Sequence, residues 1–167
     1  IFAGLHLYQM DINLNSIGLI QKAGLASGSF FPVGVTNNVF EATDGSGNKS
    51  TCSFDVTVLD REKPIVATVP SITQYAVTDC FWNGSAGRLS IQDACTGTLG
   101  LSEKYFDQNG NVLYSVLSNI SGTSYQLTPR NFPVGKNKAV ITVTDANDNE
   151  SEIVSFDITV IDNVKPT

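Results

Sequence analysis

The sequence predicts an all-β chain, an immunoglobulin-like antiparallel β-sandwich arranged as a tandem repeat. Three observations predict it. The tetrapeptide FPVG stands at residues 31–34 and again at 132–135, each time followed by a matching segment. Those segments alternate apolar and polar residues with period two, the pattern of half-buried strands. Gly and Asn punctuate nearly every gap between apolar runs, and no stretch carries a persuasive helical stripe.

The repeat is explicit. Phe31, Asp44 and Asn48 fall on Phe132, Asp145 and Asn149, each 101 positions later, and past one inserted residue Phe54, Asp60 and Pro64 fall on Phe156, Asp162 and Pro166. A register held over some thirty residues marks an internal duplication. In each FPVG the Pro lacks an amide hydrogen and the Gly follows two positions on, which marks a turn entering a strand. NNVFEATD and SFDVTVLD in the first copy, KAVITVTD and SFDITVID in the second, read as paired strands. DGSGN and DANDN between them supply residues that tolerate positive φ or bond to their own backbone, so each copy ends in a β-hairpin.

Upstream of the second hairpin, SITQYAVT, GRLSIQ, LSEKYF, NVLYSVL and TSYQLT give five more strand candidates, although GLSEKYFDQNG is short enough to be ambiguous with helix. Seven short strands in about a hundred residues describe a two-sheet sandwich. Residues 63–167 are therefore expected to form one complete domain and residues 1–62 the C-terminal part of a repeat. The opening IFAGLHLYQMDINLNSIGL lacks a basic n-region and an initiator Met, and reads as the interior of a longer precursor.

Composition narrows function. The formal net charge of −6 argues against nucleic acid, which needs a positive footprint. No run of about 18 apolar residues exists to insert in a membrane. The single His6 and the absence of G-x-S-x-G, H-E-x-x-H or a phosphate-cradling loop argue against an enzyme. Asp44, Asn48, Asp60 and Glu62, with Asp145, Asp148, Asn149 and Asp162, are hard oxygen ligands near loops and junctions, so calcium is the one cofactor the residues suggest. The same residues are also ordinary turn chemistry, without EF-hand spacing. Phe81, Trp82, Tyr75, Tyr105 and Tyr114 could present an aromatic platform to a sugar, with Phe81 and Trp82 the foremost ligand-binding candidates, or could simply fill the core. Asn48, Asn83, Asn119 and Asn149 each begin N-x-S, a glycan acceptor pattern only in a eukaryotic host.

AGLASGSFFPVG, ATDGSGN and TCSFDVTVLDREKP in the first copy, and FPVG, VTDANDN and SFDITVIDNVKP in the second, resemble the hyalin repeat (HYR) family. The resemblance covers residues 23–64 and 132–166 well and the middle faintly. It implies immunoglobulin-like, non-catalytic modules strung in large secreted or cell-surface proteins, including gliding and adhesion proteins of Bacteroidetes, whose partners are neighbouring repeats and surface glycans or proteins. It also implies a four-cysteine pattern. Cys80 and Cys95 match its second and third positions and Cys52 the fourth of the preceding unit, while Val69 and Val154 replace the first and fourth of the second unit. From that pattern a Cys80–Cys95 disulfide is expected, closing a loop of about 15 residues worth on the order of 3 kcal/mol. Cys52 is then left unpaired or paired upstream.

Overall fold

The computed structural model describes residues 18–77, 79–95 and 97–163. The N-terminal segment with His6 and the closing Pro166 lie outside the described residues. Thirteen strands are described: β1 (Gly18–Ala23), β2 (Gly34–Thr43), β3 (Lys49–Val58), β4 (Ile65–Val66), β5 (Ile72–Tyr75), β6 (Phe81–Gly84), β7 (Arg88–Gln92), β8 (Leu99–Phe106), β9 (Val112–Ile120), β10 (Ser124–Gln126), β11 (Arg130–Pro133), β12 (Gly135–Thr144) and β13 (Val154–Ile161). No helix occurs among the described residues, and the ambiguous GLSEKYFDQNG is strand β8 running into a turn. The chain divides into two compact units, Ile1–Asp60 and Arg61–Thr167.

The first unit contains the three-stranded sheet β1-β2-β3. Direct partners Thr36↔Val56, Asn38↔Phe54, Phe40↔Cys52 and Ala42↔Ser50 share one face, and Leu19 joins it opposite Ala42. Glu41, Lys49, Asn37 and Asp55 occupy the other face, where Asn37 donates to Asp55 at 2.7 Å and Lys49 meets Glu41 at 2.9 Å. Strand alternation alone sorts the two faces. On the apolar face Asn38 is buried: its Oδ1 accepts from the Leu25 backbone N–H at 3.1 Å and from Gln21 Nε2 at 3.3 Å, which ties the loop after β1 to the sheet.

The second unit is an immunoglobulin-like antiparallel β-sandwich. One layer is the five-stranded sheet β5-β13-β12-β8-β9, whose β13–β5 pair is parallel. In the opposite layer β11 pairs with β6, and β10 with β7 and then β4. The registers Pro133↔Phe81, Arg130↔Gly84, Gln126↔Arg88 and Ser124↔Ser90 keep one constant offset. β6 and β7 are therefore two pieces of a single extended strand, interrupted between Gly84 and Arg88. Ser85 and Gly87 hold that interruption: the Leu127 N–H donates to Gly87 O at 3.0 Å.

Leu99, Leu101, Tyr105, Ala139, Ile141, Val143, Phe156, Ile158 and Val160 face Leu89, Ile91, Leu127 and Phe132 across one core. Val69 and Val154, which the family resemblance sets near and at two cysteine positions, are both buried in it.

Candidate functional site

The acidic loop residues form a turn that occurs three times among the described residues. Asp44 Oδ1 accepts from the backbone N–H groups of Ser46 and Asn48, both at 2.9 Å, and its Oδ2 from Asn48 Nδ2 at 2.9 Å. Asp145 repeats this with Asn147 and Asn149 at 2.7–2.8 Å, and Asp107 with Asn109 and Asn111 at 2.8–2.9 Å. The fourth residue of each turn, Gly47, Gly110 or Asp148, has φ of 86°, 83° or 64°, the left-handed region where Gly is free and Asp tolerated. The side-chain amide of Asn48 holds the Asp44 carboxyl below its ordinary value, and Asn111 does the same for Asp107. At Asp145 burial works in the opposite direction, yet the amides of Asn149 and Asn147 still bring it below the ordinary range.

Of the calcium candidates, the fold brings together Asp44 with Asn48 and Asp145 with Asn149, and both oxygens of each carboxylate already accept hydrogen bonds. Asp148, Glu62 and Asp162 are exposed, and Asp60 is half-buried at the end of the first unit. The sequence reading missed two residues. Asp107 opens the third turn, legible in DQNGN. Asp93, after β7, has a carboxylate oxygen within 4.8 Å of one on Asp145, and its buried Oδ1 has no hydrogen-bond partner. No local signature announces Asp93.

The expected Cys80–Cys95 disulfide is not formed; among the described residues, which include all three cysteines, there is no disulfide. The cause is the collinearity of β6 and β7. Cys80 precedes the first residue of β6 and Cys95 follows the last of β7. At about 3.3 Å per strand residue the twelve positions between Phe81 and Gln92 span on the order of 36 Å, against the roughly 7 Å Cα separation a disulfide tolerates. Cys52 and Cys80 are exposed and Cys95 is half-buried. Cys80 sits in a turn with φ of 65°, beside Asp79 at 48°.

The aromatic candidates separate into interior and exterior. Trp82 is half-buried and stacks on Phe132 with centroids 5.8 Å apart; a Cβ at Gly84 would collide with its ring, so Gly84 makes the space it occupies. Tyr105 is fully buried and donates to Glu103 Oε2 at 2.7 Å. Burial first, then that carboxylate, pushes the phenol well above its ordinary value. Tyr114 donates to Asn131 O at 2.9 Å and lies under the Arg130 guanidinium at 5.6 Å. Phe81 and Tyr75 remain 42% and 55% exposed, and Val77 N–H donates to Phe81 O at 2.9 Å across the intervening turn. Glu103 is an unanticipated core residue: it occupies an inward position of the Leu99, Leu101, Tyr105 alternation, and its Oε1 has no partner. A shallow depression on the outer face of the five-stranded sheet is lined by Gly100, Ser102, Leu117, Asn119 and Thr144, hydroxyls and an amide with no titratable group.

Comparison with solved structures finds similarity to the fibronectin(III)-like modules of Clostridium thermocellum CbhA (16% identity, TM-score 0.43, covering 85% of this chain and 70% of that one). Dimeric latent PorU from Porphyromonas gingivalis is similar at 11% identity and TM-score 0.35, over 78% of this chain and 13% of that one. The sialic acid binding region of a Streptococcus sanguinis SK1 adhesin, bound to 3'sLn, is similar at 14% identity and TM-score 0.38, over 94% of this chain and 41% of that one. The model of the HYR domain matches residues 9–58, which supports the HYR family over the span that holds the first FPVG hairpin.

Proposed function

We propose that this chain is a non-catalytic repeat module of a large secreted, cell-surface protein, serving as a spacer or adhesion module beside neighbouring repeats. The observation that carries the reading is the recurrence of one hairpin, β2–β3 and β12–β13, with the same register and the same Asp–Asn turn, together with the HYR match. Repeats of one unit suit a protein whose job is to set distance and present surface. Antibodies against the chain test it: labelling of intact source cells supports the reading, and labelling only after permeabilisation would sink it.

A second reading places carbohydrate binding at the exposed aromatics. Its support is that Phe81 and Tyr75 stay open to solvent, whereas Trp82 is partly committed to Phe132. Exposed aromatic rings offer apolar faces for a sugar ring to lie on. Glycan-array binding lost in Phe81→Ala supports it; no binding, or binding indifferent to Phe81, removes it.

Calcium titration of the same chain tests the cation expectation. No binding heat and an unchanged melt would remove calcium from the reading, in keeping with the hydrogen bonds that both oxygens of Asp44 and of Asp145 already accept. Binding heat with a raised melting temperature would place calcium within the proposed role.

A further inference from the structure

We propose that the outer edge of β9 is an association edge that takes a second copy of this chain, β9 against β9 in antiparallel register. β9 is VLYSVLSNI, nine residues at the end of the five-stranded sheet and paired on one side to β8. An outer strand presents a row of backbone donors and acceptors, and proteins guard such rows with charges, Pro, bulges or brevity. β9 has no charged residue and no Pro. Its one register irregularity lies at the Val112 end, opposite Tyr105 and Phe106, and leaves the rest of the strand regular.

The other outer strands are guarded. β5, β6 and β11 have four residues each, β10 three and β4 two. In the first unit β1 carries Lys22, and β3 carries Lys49 and Asp55. β9 instead shows solvent a neutral, partly apolar surface, with Leu117 81% and Val112 59% exposed.

The chemistry of the edge selects its occupant. A cationic or anionic partner finds no counter-charge along β9, although the chain as a whole carries −6. A second β9 is a neutral strand of equal length. A two-fold axis through Val116 sets Val112 opposite Ile120, Tyr114 opposite Ser118 and Leu117 opposite Ser115, with the two Leu117 side chains as diagonal neighbours. Every inter-strand pair is then free of like charge. The contact is isologous, so it closes at two copies rather than growing into a fibre.

Sedimentation equilibrium of the intact chain under reducing conditions, over rising concentration, is the test. The expected result is a two-chain species that is lost in Leu117→Lys and in Ser115→Lys. It should be retained in Thr142→Lys, which puts the same charge on β12 in the middle of the sheet. Hydrogen exchange should show slowed amides in β9 for the parent chain and their release in Leu117→Lys, while at concentrations too low for association the two chains melt at the same temperature because the side chain is exposed. A one-chain mass at every concentration overturns the proposal. So does association that survives both edge lysines, or that Thr142→Lys abolishes equally.

Discussion

The hairpins β2–β3 and β12–β13 are the same local object in two surroundings. Each places Phe opposite its equivalent partner, Asn38↔Phe54 and Ala139↔Phe156, and each closes on an Asp–Asn turn. In the second unit Ala139, Ile141, Val143, Phe156, Ile158 and Val160 are at most 4% exposed, because β6, β7, β10 and β11 cover that face. In the first unit Cys52 is exposed and Phe40, Phe54, Val56 and Val58 are only half-buried. The difference teaches that alternation dictates pairing and face, while burial depends on what a second layer supplies. Most of the energetic worth of an apolar strand residue comes from that layer.

The largest effect expected from this contrast is at the FPVG phenylalanines. Phe132 is fully buried against Trp82, Tyr105 and Tyr114, so Phe132→Ala should destabilise the second unit by about 3–5 kcal/mol. Phe31 is half-buried, and Phe31→Ala should cost under about 1 kcal/mol. Trp82 is the chain's single tryptophan, so its fluorescence in urea follows the second unit, with far-UV dichroism following the whole. Equal costs at the two positions would break the comparison.

Buried asparagines sharpen it, because there the units should behave alike. Asn38 and Asn137 are 2% and 1% exposed, and Asn137 Nδ2 donates to Pro133 O at 2.9 Å. Asn38→Ala and Asn137→Ala should each cost about 1–3 kcal/mol through orphaned partners, measured by denaturant midpoints.

A smaller effect is expected at the turns. The folded carboxyls of Asp44, Asp107 and Asp145 lie below the ordinary 3.8. Their stabilisation is therefore fully present above that value and is lost as pH falls through the folded values. Asp145→Asn should lower the melting temperature at neutral pH and flatten its fall in acid, more than Asp44→Asn does, because Asp145 is buried and Asp44 is not. Acid profiles of the three single variants check this.

The smallest effect concerns Cys80. With no bridge to Cys95, Cys80→Ser should change stability by less than about 0.5 kcal/mol, where loss of a native disulfide costs roughly 2–5 kcal/mol. A loss in the latter range, seen only under oxidising conditions, would restore the bridge.

Much of this was legible in the residues. Both hairpins follow from period-two alternation around DGSGN and DANDN, and all seven strands expected in the second unit are found, but β4, β6 and β11 join them to make ten among the described residues. What escaped was set by contacts distant in sequence. That Cys80 and Cys95 stand far apart depends on β6 and β7 being collinear, which only their shared partner, the β10–β11 stretch, reveals. Glu103 sat in an apolar alternation, and its burial depends on Tyr105 reaching its carboxylate.

The parallel pairing of β5 with β13 joins a strand near the start of the second unit to its last. Tension on the two ends of that unit pulls these strands in opposite directions along a common axis. The ladder between Ile72–Tyr75 and Ile158–Ile161 is then loaded in shear, so its bonds bear the force together and must fail together. A hairpin such as β12–β13, opened from its free ends, would instead unzip one pair at a time. The short parallel ladder is thus a clasp, placed where a chain drawn taut would otherwise begin to unravel.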